Sequence, residues 1–458
     1  MKKSISLLLA PVLLMGLISN AAQAAAPKAG SACTKVGITT KSAGTNLKCV
    51  KSGKKLIWAI DASSAKPTAT PTPTATATPA PTPSTTSTPT ATATPAPTAS
   101  ATPTPVVVKA PIPITLPVPQ SGSITFANAV SNYSQIPQVA WQRVQDVISS
   151  NSEVNIPTTI LIGPNTKASM DLITRAIKRE YKLFSGFQTF PTYSGIVSNA
   201  ADEKWAETEA PILMKKLGIT GAFSRQDTIN RLLQGNCEMN GATAVNCSGG
   251  MAVDFKDGGK SDGFTFYSVE TGNGDFWLQA NSQPMTQVTH EVTHGYQFAQ
   301  FIYKPLAPGQ NTAGDQSHAF TPWWVSEGQA NAIGVSIFIE NLQSYLDVRN
   351  NLVTGTPRPN AKVPAFTAEA LKSFLMDYQE TGPQNSNWSL AYSIGYAAVE
   401  TLIAIGGPQS TLALYALGAN GEDWATAFNH VYGITWDQGA TVLGQVLAAQ
   451  YAAKPMRR

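Results

Sequence analysis

The sequence predicts an α+β protein, and three observations carry that expectation. Between about residues 158 and 280, short β-rich or alternating runs lie among helical stretches. From about residue 284 to the end the apolar pattern is nearly all helical. A sheet-bearing half followed by a helical half is the order of α+β chains, whereas α/β chains alternate throughout.

The chain begins "MKKSISLLLAPVLLMGLISNAAQAAAPKAG": two lysines, an apolar run, then Ala22-Gln23-Ala24. That order of parts predicts a signal peptide over residues 1–24, cleaved after Ala24. The apolar run is short and broken by Pro11, and no later segment offers about 20 uninterrupted apolar residues. The mature chain is therefore expected to be secreted or cell-wall associated, with no transmembrane segment.

Residues 27–60 form a small basic unit bracketed by Cys33 and Cys49 and closed by the strand-like run "KLIWAI". Seven lysines between Lys28 and Lys55 precede the first acidic residue, Asp61. Such a unit is either a solvated mini-domain or an electrostatic adhesion module for an anionic cell-wall polymer. The other two cysteines, Cys237 and Cys247, also lie close together, so Cys33–Cys49 and Cys237–Cys247 are the simplest of the three connectivities. No C-x-x-C pair is present to favour zinc at these cysteines.

Residues 61–120 are dominated by Pro, Thr, Ala and Ser, a composition that cannot bury a core and predicts an extended, disordered spacer. The globular body is expected over 121–458. After residue 67 it carries 22 Lys and Arg against 27 Asp and Glu, which argues against nucleic acid as a partner. Within it, helices are predicted near 137–150, from 167 onward and over 200–217. Strands are predicted at "TTILIGP" (158–164), "GMAVDF" (250–255), "GFTFYSV" (263–269) and "DFWLQA" (275–280). Residues 105–150 are candidates for a removable propeptide.

Residues 290–294 read "HEVTH". On a helix, His290 and His294 stand one turn apart on one face and can aim ring nitrogens at one metal ion. Glu291 lies beside them, placed to take a proton from a water held by that ion. Asn281 or Ser282 can cap this helix, Pro284 suits its first turn, and Val288, Val292, Ala299 and Ile302 form an apolar stripe. A His-x-x-Gly-x-x-His continuation is excluded, because Gln297 and Gln300 occupy the positions where Gly and His would stand. Instead, "TPWWVSEGQANAIGVSIFIENL" opens a second amphipathic helix at Thr321 and Pro322. It carries Glu327, whose carboxylate completes a His-His-Glu site with a fourth position open. His318 falls in the intervening polar loop "NTAGDQSHAF".

"HEVTH" followed by "WWVSEGQA" resembles the gluzincin metallopeptidases, which are thermolysin-like in catalytic core; the aminopeptidase-like branch also reads Trp, then Glu-Gly-x-Ala. The resemblance covers about residues 285–450. It implies a zincin-like catalytic domain with one catalytic Zn2+ held by His290, His294 and Glu327, and with Glu291 as general base. It puts Asn331 where the family carries a residue that orients a ligand histidine, a task an amide oxygen can perform. In "SLAYSIGYAAVETLIAIGG" the matching oxyanion-stabilising tyrosine is Tyr392, with Tyr396 one turn on. Two departures bear on specificity. The spacer before the third ligand is longer than usual, and the amine-capturing Gly-x-Met-Glu-Asn has only "GGMAVD" (249–254) to match it, without the glutamate.

The expected function is a secreted zinc metallopeptidase acting as an endopeptidase on peptide or protein substrates. The alternatives are a wall-attached binding protein with a structural zinc, or a non-peptidase zinc hydrolase of cell-wall amides or esters. "DFWLQA" is expected to be the edge strand that pairs with an extended peptide.

Overall fold

The computed structural model describes 108–216, most of 238–270, 283–357, 361–377, 386–457 and the greater part of 33–60. The predicted signal peptide, spacer residues 61–107, Cys237, Cys247, "DFWLQA" and the capping candidates Asn281 and Ser282 lie outside the described residues. The chain divides into two compact units between Ser100 and Ala101.

The first unit is an antiparallel meander of β1 (Thr39–Ser42), β2 (Thr45–Ser52) and β3 (Lys55–Ile60). Cys49 stands directly opposite Trp58, and together with Leu47 they bury one face, which the Cys33–Cys49 disulfide closes. Side chains alternate across a strand. Lys48 and Lys55 therefore belong to the opposite face, where they are exposed.

The second unit opens earlier than composition implies. Ala110 and Val118 are buried, and Ile112, Ile114 and Leu116 pack against the same core, so residues 108–120 belong to the body and not to the spacer. α1 (Ile136–Ser150) buries Ile136, Ala140, Val144 and Ile148, one residue per turn. Arg143 donates to the carbonyls of Ala404 and Ile405, and Trp141 Nε1 to that of Ile339. A helix this deeply built into the core argues against a detachable propeptide there.

The main sheet has the order β4 (Thr158–Ile162), β5 (Tyr193–Asn199), β9 (Lys260–Glu270), β8 (Gly249–Asp257). β4, β5 and β9 run parallel, and β8, antiparallel to β9, is the edge among the described residues. The parallel start follows from α2 (Met170–Leu183), the crossover helix between β4 and β5. α2 begins three residues later than its apolar pattern suggests because Ser169 caps it, accepting from Leu172 N. The single helix expected over 200–217 is a 3-10 turn followed by α3 (Glu203–Thr208) and α4 (Ala210–Lys216). Pro211 explains the break, since it has no N–H to donate and its ring crowds the preceding turn. β6 (Glu238–Asn240) and β7 (Thr243–Val245) make a separate hairpin.

The helical half comprises α5 (Gln283–Ala299), α6 (Ala313–Phe320), α7 (Trp323–Phe338), α8 (Leu342–Val353), α9 (Ala368–Met376), α10 (Ile394–Gly406), α11 (Pro408–Ala419), α12 (Trp424–Tyr432) and α13 (Trp436–Ala453). α5 and α7 are not amphipathic, as their patterns implied, but buried nearly all round, as central helices of a large core are. Val288, Val292 and Ala299 are core residues, while Ile302 lies beyond the end of α5. His318 stands on α6 and not in a loop: Thr312 and Asp315 form a capping box that starts the helix there. Its ring packs edge-on to Phe298 and Trp323. The one described stretch long and apolar enough to cross a membrane, Asn387–Gly406, is 78% buried within this body.

Candidate metal centre

α5 and α7 bring the predicted residues together. His290 Nε2 and His294 Nε2 are 3.1 Å apart. Glu327 Oε2 lies 3.4 Å from each of them. A tetrahedral ion with ligand bonds of about 2.0–2.1 Å needs neighbouring ligand atoms about 3.3–3.4 Å apart, and this triangle matches that edge. His290, Glu291 and His294 are all buried and together can hold a metal ion, their ligand atoms lying within 4.8 Å of one another. Of the two carboxylates, Glu327 is equidistant from both rings, whereas Glu291 Oε1 stands 4.0 Å from His290 Nε2.

Glu327 Oε2 is buried with no hydrogen-bond partner, a costly state for a carboxylate oxygen unless a cation faces it. Burial alone would raise its pKa, but His294 and His290 together hold it well below the usual range. For His294 burial opposes the charge, yet Glu327, Glu291 and Gln297 outweigh it and lift the ring to about 9. Glu291 behaves differently: burial pushes it up to about 7, with the two rings and the Ala252 N–H only partly offsetting that.

Each ring is gripped from behind. His290 Nδ1 is 2.9 Å from Asn331 Oδ1, and Asn331 Nδ2 donates to the Tyr392 carbonyl at 3.0 Å. His294 Nδ1 is 2.8 Å from Gln297 Oε1. Sequence reasoning missed Gln297, noting it only as a residue that is not glycine. Its signal was present in its place three residues after His294, on the same helical face.

Two glycine contacts set the surroundings. A Cβ at Gly250 would sit 2.2 Å from Glu291 Oε1, so edge strand β8 passes directly over the general-base candidate. The stretch "GGMAVD" thus lies beside the site, with Ala252 N–H on Glu291. At Gly328 a Cβ would meet the Gly395 backbone at 2.4 Å, so α7 and α10 touch backbone to backbone. That contact holds the Ser386–Tyr392 turn at the site, and the Tyr392 ring stacks on His290 with centroids 6.0 Å apart. Tyr396, the alternative tyrosine, is fully buried beside Tyr345 and Glu400 in the core and does not reach the site. His430 is exposed on α12, paired with Glu422 at 3.0 Å.

Compared with known protein families, curated proteins and solved structures, the chain matches none.

Proposed function

We propose that this chain is an exported zinc metallopeptidase of gluzincin type that cleaves peptide bonds within chains. The observation that carries the reading is the triangle of His290 Nε2, His294 Nε2 and Glu327 Oε2, with Glu291 beside it and not part of it. Two imidazoles and one carboxylate suit zinc and leave a fourth position for chemistry. Bound there, zinc would make a water acidic near neutral pH and polarise a carbonyl.

Glu291 accepts the proton of the attacking water at its carboxylate and returns it to the leaving amine. Its raised affinity for a proton, caused by burial, suits both halves of that task. The Tyr392 phenol, on the ring stacked over His290, donates to the carbonyl oxygen as negative charge develops. Among the described residues β8 is bonded to β9 on one side only, and its other edge can take an extended peptide. On β8, Asp254 accepts from Ala313 N and Gly314 N, so this carboxylate is already engaged and is not placed to anchor a free amine. That favours internal cleavage. The Cys33–Cys49 disulfide fits export to an oxidising compartment, and the exposed Lys48–Lys55 face fits an anionic wall polymer.

The test is cleavage of unfolded casein by the full chain with and without a chelator, beside Glu291→Gln and metal content by mass spectrometry. Chelator-sensitive cleavage is expected, falling about 10²–10⁴-fold in the variant with zinc retained. Zinc bound but peptide uncut, with wall amides or esters cleaved instead, would reassign the site to the non-peptidase hydrolase. A chain that binds no zinc would end the metal reading.

A further inference from the structure

We propose that Gln297 is the positioning residue for His294, and that Gln329 and Thr411 lock its amide with the oxygen turned toward that ring. The inference rests on the metal-site reading above and extends it to residues outside the motif.

Gln297 is fully buried on α5 and makes four polar contacts. Its Oε1 faces His294 Nδ1 at 2.8 Å and accepts from Ser326 Oγ at 3.0 Å. Its Nε2 donates to the Ser326 carbonyl at 3.0 Å and to Gln329 Oε1 at 2.8 Å. An amide can be turned over in principle, so the contacts must decide which end is which. A backbone carbonyl can only accept. Turning Gln297 over would set its oxygen against the Ser326 carbonyl and its NH2 against His294 Nδ1.

The next link is fixed in the same way. Thr411 Oγ1 gives its one hydrogen to the Pro408 carbonyl at 2.7 Å, so it accepts from Gln329 Nε2 at 2.8 Å. Gln329 must then present its oxygen to Gln297. Two backbone carbonyls, on α7 and at the start of α11, thereby dictate that His294 Nδ1 keeps its hydrogen. The lone pair available for a metal is left on Nε2, the atom that faces His290 and Glu327. Ser326 directly precedes Glu327, so the group that orients His294 is tied to the helix carrying the third ligand. The amide achieves this without adding a negative charge behind the ring, where a carboxylate is the common partner.

The test compares zinc dissociation constants, read by competition with a chromophoric chelator, for the full chain and four variants. Melting of the metal-free proteins is followed alongside. Gln297→Met keeps the length and removes the acceptor, and is expected to weaken zinc about 10–100-fold. Thr411→Val releases the lock and is expected to weaken zinc by a smaller factor in the same direction. The double variant should be no weaker than Gln297→Met alone, because both changes act through one contact. Gln300→Met removes a buried amide that bonds the carbonyls of Gln188 and Tyr296 instead; it should lower melting and leave zinc affinity unchanged.

Parental affinity in Gln297→Met would overturn the proposal, as would a Thr411→Val loss that persists in full in the double variant. Should Gln297→Met not fold, unchanged affinity in Thr411→Val alone would sink the lock. A parent that binds no zinc defeats this proposal together with the metal site. A parent that binds zinc but cuts no peptide defeats only the peptidase reading.

Discussion

Thr293 has one hydroxyl hydrogen and two oxygens in reach, the Thr289 carbonyl at 2.8 Å and Glu180 Oε1 at 2.6 Å. The carbonyl can only accept, so if it takes that hydrogen the Glu180 carboxyl must supply the other. Complete burial, which raises Glu180 well above its usual value of 4.5, points the same way and favours the protonated acid behind His294. The folded state then keeps a proton that the unfolded chain releases above about 4.5. Stability is lost as pH rises from there toward the folded value, by up to about 1.4 kcal/mol per unit. Glu180→Gln removes this dependence, and its stability relative to the parent should improve as pH rises from about 5 to about 8. Denaturant titrations at the two pH values check it, and parallel curves would show Glu180 to be ionised. His290, Glu291 and His294 were legible in the sequence because one helical turn fixes their relation whatever surrounds them. Asn331 was legible once Glu327 set the register of α7. Glu180 and Gln297 were not: each matters through a partner 113 residues away or through a network closed by Thr411, and local spacing carries no trace of that.

Between elements, the critical approach is β8 over α5. At Gly250 there is no room for even a methyl group: its carbon would fall 2.2 Å from Glu291 Oε1 and 2.7 Å from Glu291 Cγ. Gly250→Ala must displace Glu291 or lift the strand, while the three ligand atoms are untouched. Peptide turnover is therefore expected to fall at least about tenfold with zinc content unchanged, since a small misplacement of a reacting group costs that much or more. Turnover and metal content measured together decide it, and full activity would mean that Glu291 is not the base. The sequence revealed β8 as a strand but not as the strand over the site, because its place in the sheet depends on its hairpin partner β9 pairing with the distant strand β5. α6 was hidden for a related reason. Its capping box reads Thr-x-x-Asp, but no apolar period follows, and its first N–H groups are satisfied by Asp254 from β8.

Across the whole body, the open question in the sequence was where the folded chain begins. Proline content assigned residues 108–120 to the spacer, yet apolar residues alternate there with Pro and polar ones. An extended chain with that alternation lays one side on the core, from Ala110 to Val118. It is fastened by Asn420, which bonds both the N–H and the carbonyl of Ala110, and by Val118 N on the Val431 carbonyl. α1 follows, burying Ile136, Val144 and Ile148. At about 1.5–3 kcal/mol for each large aliphatic side chain, these three contribute roughly 5–9 kcal/mol, comparable to the entire 5–15 kcal/mol of a typical domain. Removing α1 also strips Arg143 from the Ala404 and Ile405 carbonyls at the end of α10. A chain beginning at residue 151 is therefore expected not to fold, whereas one beginning at 108 should melt cooperatively and bind zinc like the full chain. Circular dichroism melts with metal content compare the two. A cooperative, zinc-binding 151–458 chain would restore the propeptide reading and separate α1 from the machinery of the site.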